Sequence, residues 1–480
     1  MLGTLRSQWI LVTCVVFVLL NAILVANEFY WLNLLPAVLL VVWAMFTAVD
    51  RLMLFIAFVT PLSINLEELE IGGIGVSLPT EPILVGLMFL FLLKLSIQSN
   101  VLDARIWRHP ITWVICIQLI WTAVCIVPSS MPVVSLKNLV ARLWFICTAY
   151  FLATRLFEDR RNMYRFGHAY IAGLAIVIVY TLVRHAQFHF EHDPAHWVMT
   201  PFFKDHTSYG ASIALFLPFA LSEIVRRETS RSMRGLAFFM TALLITGLVF
   251  SYTRAAWLSL VGALGVFLVL KLRIPGWVVG ALMLTAGGVY WANHEQITIA
   301  LERNREESSD NMGEHVRSIS NISSDASNLE RINRWNSALR MWKERPVFGW
   351  GPGTYMFQYA PFQASEDRTI ISTNFGSLGN AHSEYLGPLS EQGALGLLLM
   401  IALVAVTVVV ALRLYKRMPR GSDRSMFVSV FLGLTTYYLH GALNNFLDTD
   451  KVAVPFWAFT AIVVLMDLRY PPAEKAATKG

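Results

Sequence analysis

The chain has 480 residues, of which 56% are hydrophobic and only 15% are charged. Soluble domains carry about 25% charged residues, so this composition excludes an ordinary water-soluble enzyme. The net charge of +6 does not indicate a nucleic-acid partner, because membrane proteins concentrate Lys and Arg in their cytoplasmic loops. Since the apolar residues also form runs long enough to cross a bilayer as helices, the sequence predicts a polytopic membrane protein.

Apolar runs bounded by charged residues, Pro or Gly mark fourteen candidate membrane spans. They lie near 9–26, 33–49, 52–66, 81–97, 111–127, 139–157, 166–186, 209–225, 235–252, 255–270, 276–292, 394–412, 425–442 and 453–468. The third run is short and is either a crossing or a re-entrant segment. The expected fold is an all-α polytopic membrane protein with about 12–14 transmembrane helices. One large, partly helical extracytoplasmic loop precedes the last three helices.

These runs divide the chain into four regions. They are the N-terminal transmembrane helices (1–204), the core transmembrane helices (205–292), the large extracytoplasmic loop (293–393), and the C-terminal transmembrane helices with a short cytoplasmic tail (394–480). Most of the 38 Lys and Arg residues fall in segments that are cytoplasmic if the N-terminus is inside. Because short cytoplasmic loops collect basic residues, we expect both termini in the cytoplasm and the large loop on the opposite side.

The large loop has two parts of different character. Residues 302–328 are charged and rich in Ser and Asn, which predicts a mobile segment. The pattern of residues 329–345 predicts an amphipathic helix with one apolar face. The helix as a whole is strongly basic. Its apolar face comprises Ile332, Trp335, Leu339 and Trp342, and its basic residues are Arg331, Arg334, Arg340, Lys343 and Arg345. The alternating glycines of 348–355 then allow tight backbone turns.

Arg254 is the only charge in an apolar run of 36 residues, from Gly235 to Leu270. As one helix this run would be about 54 Å long, whereas the hydrocarbon core of a bilayer is about 30 Å thick. The run must therefore fold back, and residues 251–254 are the predicted turn. The turn would fix the Arg254 guanidinium at the outer membrane face. The alternative is an interfacial arginine that extends toward lipid headgroups.

His382 lies where the large loop returns to the membrane. An imidazole there can act as a general base near neutral pH, although a single loop histidine is more often simply hydrogen-bonded. Glu384 and Glu391 would either orient the histidine or face water, and we favour water for both. Two further polar groups either line a cavity or mark the membrane boundary. They are Lys204, Asp205 and His206, and then Tyr437, His440, Asn444, Asn445, Asp448 and Asp450.

Four motifs in order resemble the O-antigen ligase/polymerase superfamily of bacterial envelope glycosyltransferases. They are Ser-Tyr-Thr-Arg at 251–254, Arg331 four residues before Trp335, Pro-Val-Phe-Gly-Trp-Gly-Pro-Gly at 346–353, and Ala-His-Ser-Glu-Tyr-Leu at 381–386 followed by Gly393. The resemblance covers roughly residues 205–445, so region 205–292 corresponds to the ligase-like core. It implies a multi-pass protein of the bacterial inner membrane with its large loop in the periplasm.

The resemblance also implies a reaction, namely an inverting-type glycosyl transfer that needs neither metal nor cofactor. A glycan would move from undecaprenyl diphosphate to a hydroxyl of lipid A-core, with another lipid-linked glycan (polymerase) or a protein (O-oligosaccharyltransferase) as alternative acceptors. Arg254 and Arg331 would hold the diphosphate, and His382 would take the acceptor proton. Further substrate-binding candidates are Arg334, Glu384, Tyr385, Lys204, His206 and His440. Membrane lipid is a partner and nucleic acid is not.

Two other classes of protein compete with this interpretation. A flippase or other transporter of lipid-linked oligosaccharide would show repeated halves and charges near mid-membrane, whereas here the candidate residues gather toward one face. A non-catalytic scaffold protein would need neither the histidine nor the arginines. The motifs therefore favour glycosyl transfer over both.

Overall fold

The computed structural model describes residues 2–472, except for 67–74, 99, 227, 279, 282–283, 286–287, 289–291, 294–325, 369–371 and 373–378. Within these residues the protein is almost entirely helical, and its one sheet has two short strands. The chain divides into two compact units, residues 1–55 and 56–480.

The first unit consists of two apolar helices and the beginning of a third. Helix α1 (Leu2–Ala26) and helix α2 (Leu35–Thr47) are joined through a 3-10 turn, and α3 (Val49–Val59) follows. The Asn21 amide donates a hydrogen bond of 2.7 Å to Asn33, which ties α1 to the turn. The third predicted span thus holds a helix of only 11 residues. At about 1.5 Å per residue this helix is too short to cross a bilayer alone.

The second unit contains the remaining helices. After a hairpin in which β1 (Ile64–Asn65) pairs antiparallel with β2 (Ser77–Leu78), they are α4 (Thr80–Ile97), α5 (Ala104–Trp107), α6 (Pro110–Val124), α7 (Pro132–Phe145), α8 (Ala153–Leu156), α9 (Arg160–Ala186), α10 (His206–Val225), α11 (Arg231–Val249), α12 (Arg254–Leu272), α13 (Ala326–Glu344), α14 (Tyr355–Gln358), α15 (Leu386–Arg417), α16 (Ser422–His440) and α17 (Asp450–Arg469). A buried π-helical segment, Ile146–Leu152, joins α7 to α8.

The helices confirm the predicted class, an all-α polytopic membrane protein. Eight of the described helical stretches are long and apolar enough to cross a membrane, and three shorter apolar helices accompany them. Each predicted span except one falls on helix. The exception, 276–292, is only partly described, and most of the stretch predicted to be mobile, 302–328, lies in the undescribed residues 294–325.

Helices α10, α16 and α17 form the centre of the second unit. Helix α10 packs against α11, α12 and α16, while α16 also contacts α12 and α17. Gly433 of α16 lets the two backbones approach, because a Cβ there would overlap the carbonyl of Leu215 in α10. Most of α17 is buried despite its membrane-compatible composition. A packed helical core therefore supports the helix ends that carry the polar residues.

Polar contacts gather at the two ends of these helices. At one end, Arg160 pairs with Asp423 at 3.1 Å and His168 with Glu223 at 2.9 Å. The opposite end, where α10, α12, α15 and α17 begin and α11 and α16 terminate, is called the site end below. It holds the predicted site residues on α10, α12 and α16 and in the loop before α15.

Candidate active site

The predicted fold-back before Arg254 is confirmed. Helix α11 ends at Val249 and α12 begins at Arg254. Between them, Thr253 Oγ1 donates a hydrogen bond of 2.7 Å to the carbonyl of His206, the first residue of α10. Gly210 makes room for this contact, since a Cβ there would lie 2.7 Å from Thr253 Cβ. The turn thus fixes Arg254 and His206 on adjacent helix starts.

Helix α13 forms where the amphipathic pattern predicts it. Most of the residues that it buries are small or polar, while the residues of the apolar face are half-buried except for Leu339, which is 37% exposed. The buried set is Glu330, Asn333, Arg334, Ser337, Ala338 and Met341. The reason is that the loop packs its own small core of Tyr355, Tyr359 and Ala381 against α13. The apolar stripe lies at the edge of this packing, where the Trp335 indole donates a hydrogen bond to the His382 carbonyl.

Arg334 is held in a buried network of its own. Its Nε lies 2.8 Å from Glu330 Oε1, and Nη1 donates to the Asn380 carbonyl at 3.2 Å. The guanidinium also stacks over the Tyr359 ring, 5.1 Å from its centroid. Burial raises the pKa of Glu330, but a hydrogen bond from Ser372 and the charge of Arg334 together hold it below its ordinary value. Arg334 therefore positions the 380–382 segment.

His382 lies at the centre of the site end. Its backbone is left-handed, with φ 47°, and its carbonyl accepts a hydrogen bond of 3.3 Å from the Trp335 indole. Burial, followed by the charges of Arg334 and Arg331, lowers the pKa of His382 to about 4, although a hydrogen bond with Asn444 opposes the shift. The imidazole is therefore neutral at physiological pH. It carries a lone pair that can accept a proton.

Three histidines from distant parts of the chain converge on Arg331. This arginine interacts electrostatically with His206 of α10, His382 of the loop and His440 of α16. The carboxylate of Asp205, the N-cap of α10, interacts with His382 and His440 as well. We call this set the histidine cluster: His206, His382, His440, Arg331 and Asp205. An arginine, a carboxylate and three histidines thus interact electrostatically across the site end.

Glu384 and Tyr385 hold the histidine segment in place. Glu384 is only 8% exposed, and its Oε1 accepts hydrogen bonds from the Tyr437 hydroxyl at 2.5 Å and the Phe446 N–H at 2.7 Å. Burial raises the pKa of this carboxyl. The expectation that Glu384 faces water is therefore wrong, because the 441–449 loop encloses it. The Tyr385 hydroxyl donates to the Tyr438 carbonyl at 2.9 Å.

Glu391 is half-buried, so it faces water only in part. Its Oε1 accepts a hydrogen bond of 3.0 Å from the Tyr355 N–H because the chain turns back over it. Lys204 is exposed at the rim and interacts with the charge of Asp448. Thus Lys204 lies at the edge of the site end, whereas Glu391 is part of its support.

The glycine-rich segment 346–353 clamps the start of α15. Gly393, at φ 71°, kinks α15, and a Cβ there would overlap the Val347 carbonyl. Across this close contact the Ala394 N–H donates to the Pro346 carbonyl at 3.0 Å, and the Gly351 N–H to the Glu391 carbonyl at 2.8 Å. The glycines serve close backbone packing. They fix the path by which the loop returns with His382.

A cavity of about 110 Å³ is lined by residues of the 380–384 segment other than His382. Its polar lining includes Asn138, Arg142, Asn380, Ser383, Asn445 and Asp448. Sequence analysis did not select Asn138 or Arg142 as site residues. The available signal was weak: Arg142 is one of two charged residues, with Arg155, in the predicted span 139–157.

Comparison with known proteins relates part of the chain to a known family. Residues 239–401 match a sequence model described as O-antigen ligase, and none of the curated proteins gives a significant match. The matched segment contains Arg254, Arg331 and His382, while His206 and His440 lie outside it. The match supports glycosyl transfer in general terms. Residues 239–401 are therefore similar to O-antigen ligases, which confirms the resemblance to the O-antigen ligase/polymerase superfamily.

Proposed function

We propose that the protein transfers a glycan from undecaprenyl diphosphate to an acceptor hydroxyl, with lipid A-core as the first-choice acceptor. The site end then faces the periplasm from the bacterial inner membrane, and both termini are cytoplasmic. The observation that carries the proposal is the convergence of His206, His382 and His440 on Arg331 within a chain that matches O-antigen ligases. Polymerisation and protein O-glycosylation share this chemistry and remain the alternatives.

In the proposed reaction the acceptor oxygen attacks the anomeric carbon of the donor glycan. The bond from that carbon to the diphosphate oxygen breaks, with inversion, and undecaprenyl diphosphate leaves. Arg254 and Arg331 stabilise the charge that develops on the leaving diphosphate, because a guanidinium donates two parallel hydrogen bonds to phosphate oxygens. His382 takes the acceptor proton on a ring nitrogen.

The charges around His382 couple donor binding to base strength. Positive charge on Arg334 and Arg331 contributes to the low pKa of the imidazole. A bound diphosphate would offset that positive charge and raise the pKa of His382 toward its ordinary value of about 6.5. His382 would then become a stronger base once the donor is in place. No metal takes part in this scheme, so EDTA should leave the rate of transfer unchanged.

Reconstitution tests the proposal directly. The purified chain in lipid nanodiscs, given undecaprenyl-diphosphate-linked glycan and one acceptor at a time, should elongate lipid A-core and release undecaprenyl diphosphate. Elongation of the lipid-linked donor or of a protein instead would identify a polymerase or an O-oligosaccharyltransferase. Passage of the intact donor across a vesicle membrane without any new glycosidic bond would identify a transporter.

Sidedness needs a separate measurement. A single cysteine placed between residues 302 and 325 should react with a membrane-impermeant thiol reagent from the periplasmic side, and one at Arg420 only after the inner membrane is opened. The reverse result would contradict the proposal, because the periplasmic donor glycan would then be out of reach of His382.

A further inference from the structure

A second cluster of histidines lies at the rim of the site end, in the connection between α9 and α10. The rings of His192 and His196 are nearly perpendicular, with centroids 4.8 Å apart. One ligand atom from each of these histidines and one from Asp193 all lie within 4.8 Å of one another. Among the residues that the structure describes, this is the one group of three His, Cys, Asp or Glu residues with such spacing.

The backbone on both sides of this cluster is anchored. His185 Nε2 lies 2.7 Å from the Glu191 carbonyl, and the Tyr252 hydroxyl donates to the Phe190 carbonyl at 2.9 Å. On the other side, the Tyr180 hydroxyl donates to the Thr200 carbonyl at 2.9 Å. The cluster therefore belongs to a connection tied to α9 and to the turn before Arg254. Anchored ligands lose less freedom when they bind an ion.

The hydrogen bond of the His196 ring indicates which of its nitrogens is available for coordination. His196 Nδ1 lies 3.1 Å from the Asp193 carbonyl, and because a carbonyl only accepts, Nδ1 carries the proton and Nε2 the lone pair. His192 Nδ1 lies 3.4 Å from Asp193 Oδ1, so these two side chains already face each other. Metals bind neutral imidazole.

We propose that His192, Asp193 and His196 form a binding site for a divalent transition-metal ion of the Zn²⁺ class, with water as the fourth ligand. Two imidazoles and one carboxylate suit zinc-like ions. They suit Ca²⁺ and Mg²⁺ poorly, since those ions require six or more oxygen ligands. Tetrahedral coordination at about 2.0–2.1 Å needs ligand atoms roughly 3.3 Å apart. The Asp193 side chain, 92% exposed, is able to swing inward by the required distance.

The proposed ion would not be a reactant in glycosyl transfer. The His192 ring packs against Tyr252, with centroids 5.2 Å apart, and the His196 ring packs against His206 at 4.4 Å. Bound metal would therefore brace the connection against the Arg254 turn and the start of α10. The expected consequence is higher thermal stability of the protein when Zn²⁺ is present. This inference does not depend on the proposed transferase activity.

The test uses the full chain, purified without a polyhistidine tag, stripped with chelator and placed in nanodiscs. We expect one Zn²⁺ per chain by calorimetry, a rise in melting temperature, and the visible spectrum of tetrahedral Co²⁺ when cobalt is added. His196→Asn should weaken Zn²⁺ binding by more than the roughly 10–100-fold that loss of an outer-shell partner costs. His189→Asn is the matched control, because His189 is an exposed histidine of the same connection outside the cluster.

The outcomes separate binding from folding. His196 is exposed, so metal-free His196→Asn should melt at the wild-type temperature. Weak or absent Zn²⁺ binding by the wild-type chain would overturn the proposal. Equal loss of binding in His189→Asn, or undiminished binding in His196→Asn, would overturn it as well. Stronger binding of Mg²⁺ than of Zn²⁺ would contradict the assigned class of metal.

Discussion

Two clusters of charge meet at helix α13, and they are built differently. The positive charge of Arg334 is paired with Glu330 at 2.8 Å. The guanidinium also donates to the Asn380 carbonyl and lies over the Tyr359 ring. Around Arg331, three histidines and Asp205 come together from separate segments of the chain. The first cluster resembles a buried ion pair that fixes a fold. The second gathers titratable groups whose pKa values are perturbed, which is typical of functional sites.

A third cluster supports this distinction. Lys451 Nζ donates hydrogen bonds to the carbonyls of Thr60 and Ser63, and Ser63 also bonds to Asp450. These groups are buried, and their hydrogen bonds run to one another. Charged groups that lie close together at the site end are therefore not enough to identify a catalytic site. What distinguishes the histidine cluster is that three imidazoles interact electrostatically with one arginine.

The largest expected effect comes from His382. Loss of a general base typically reduces turnover by 10²–10⁴-fold, and we expect that loss for His382→Asn while donor binding stays near normal. Asn is the preferred replacement because it tolerates the left-handed backbone at φ 47°. Single-turnover transfer and donor binding should be measured on the same nanodisc preparation.

The control for His382 is His189→Asn, which replaces an exposed histidine that also has a positive φ. Normal transfer by folded His382→Asn protein would contradict the proposed mechanism. Loss of donor binding would instead make His382 a substrate ligand, and the acceptor proton would need another base.

The next effect concerns Arg254→Lys. Lysine keeps the charge but loses the planar fork that pairs with two phosphate oxygens. Hydrogen bonds to charged groups contribute about 1.5–3 kcal/mol, so transfer should fall by about tenfold or more. The control is Arg413→Lys, on an exposed position of α15 away from the site end. Near-normal transfer by Arg254→Lys would favour the alternative role, a contact with lipid headgroups.

Sequence was sufficient for features that depend on local pattern. The apolar runs predict the helices because a buried or lipid-facing helix needs continuous apolar length. The fold-back at 251–254 follows from length alone, since the run is longer than a bilayer is thick. The existence of α13 follows from its periodicity. In each case the relevant residues are neighbours in the chain.

Features that depend on environment were not predictable in the same way. Periodicity identifies an apolar stripe on α13, yet it does not predict that the loop core of Tyr355, Tyr359 and Ala381 packs against other residues of this helix. Glu384 has the polarity of a surface residue, but the 441–449 loop encloses it. The convergence of His206 and His440 with His382 joins segments far apart in sequence. No local pattern contains that information.

The third prediction concerns the buried ion pair of Glu330 and Arg334. Glu330→Gln leaves the buried Arg334 without its carboxylate, and breaking a buried ion pair typically costs 3–5 kcal/mol in the free energy of unfolding. We expect a lower melting temperature and faster proteolysis of the large loop. The double variant Glu330→Leu/Arg334→Met should recover much of the loss, because it removes both charges. Asp367→Asn is the control, since its partner Arg340 is partly exposed and the effect should be smaller.

The double variant also separates the two roles considered for Arg334. If this arginine only positions the 380–382 segment, a folded Glu330→Leu/Arg334→Met protein should retain substantial transfer. Loss of transfer with a normal melting temperature would show that Arg334 binds the substrate.

A smaller effect is expected on the acid limb of the pH profile. The pKa of His382 is lowered to about 4, so the neutral form of the base is lost only as the pH falls toward 4. In the free enzyme, kcat/KM should therefore stay nearly constant between pH 7 and pH 5. If donor binding raises the pKa, kcat at saturating donor should begin to fall at a higher pH than kcat/KM does. If kcat/KM and kcat both fell with the same apparent pKa of about 6.5, the result would contradict this account.

The smallest effect is expected for Tyr385→Phe. The Tyr385 hydroxyl donates a hydrogen bond of 2.9 Å to the Tyr438 carbonyl, at the end of α16. Removing one such bond destabilises a protein by about 1 kcal/mol, while the ring remains to hold the segment after His382. Transfer per folded molecule should stay within about twofold of wild type, and thermal melting should show a small decrease. A large loss of transfer without loss of stability would indicate that the Tyr385 hydroxyl contacts the substrate. Tyr385 would then belong to the active site and not only to the structure that supports it.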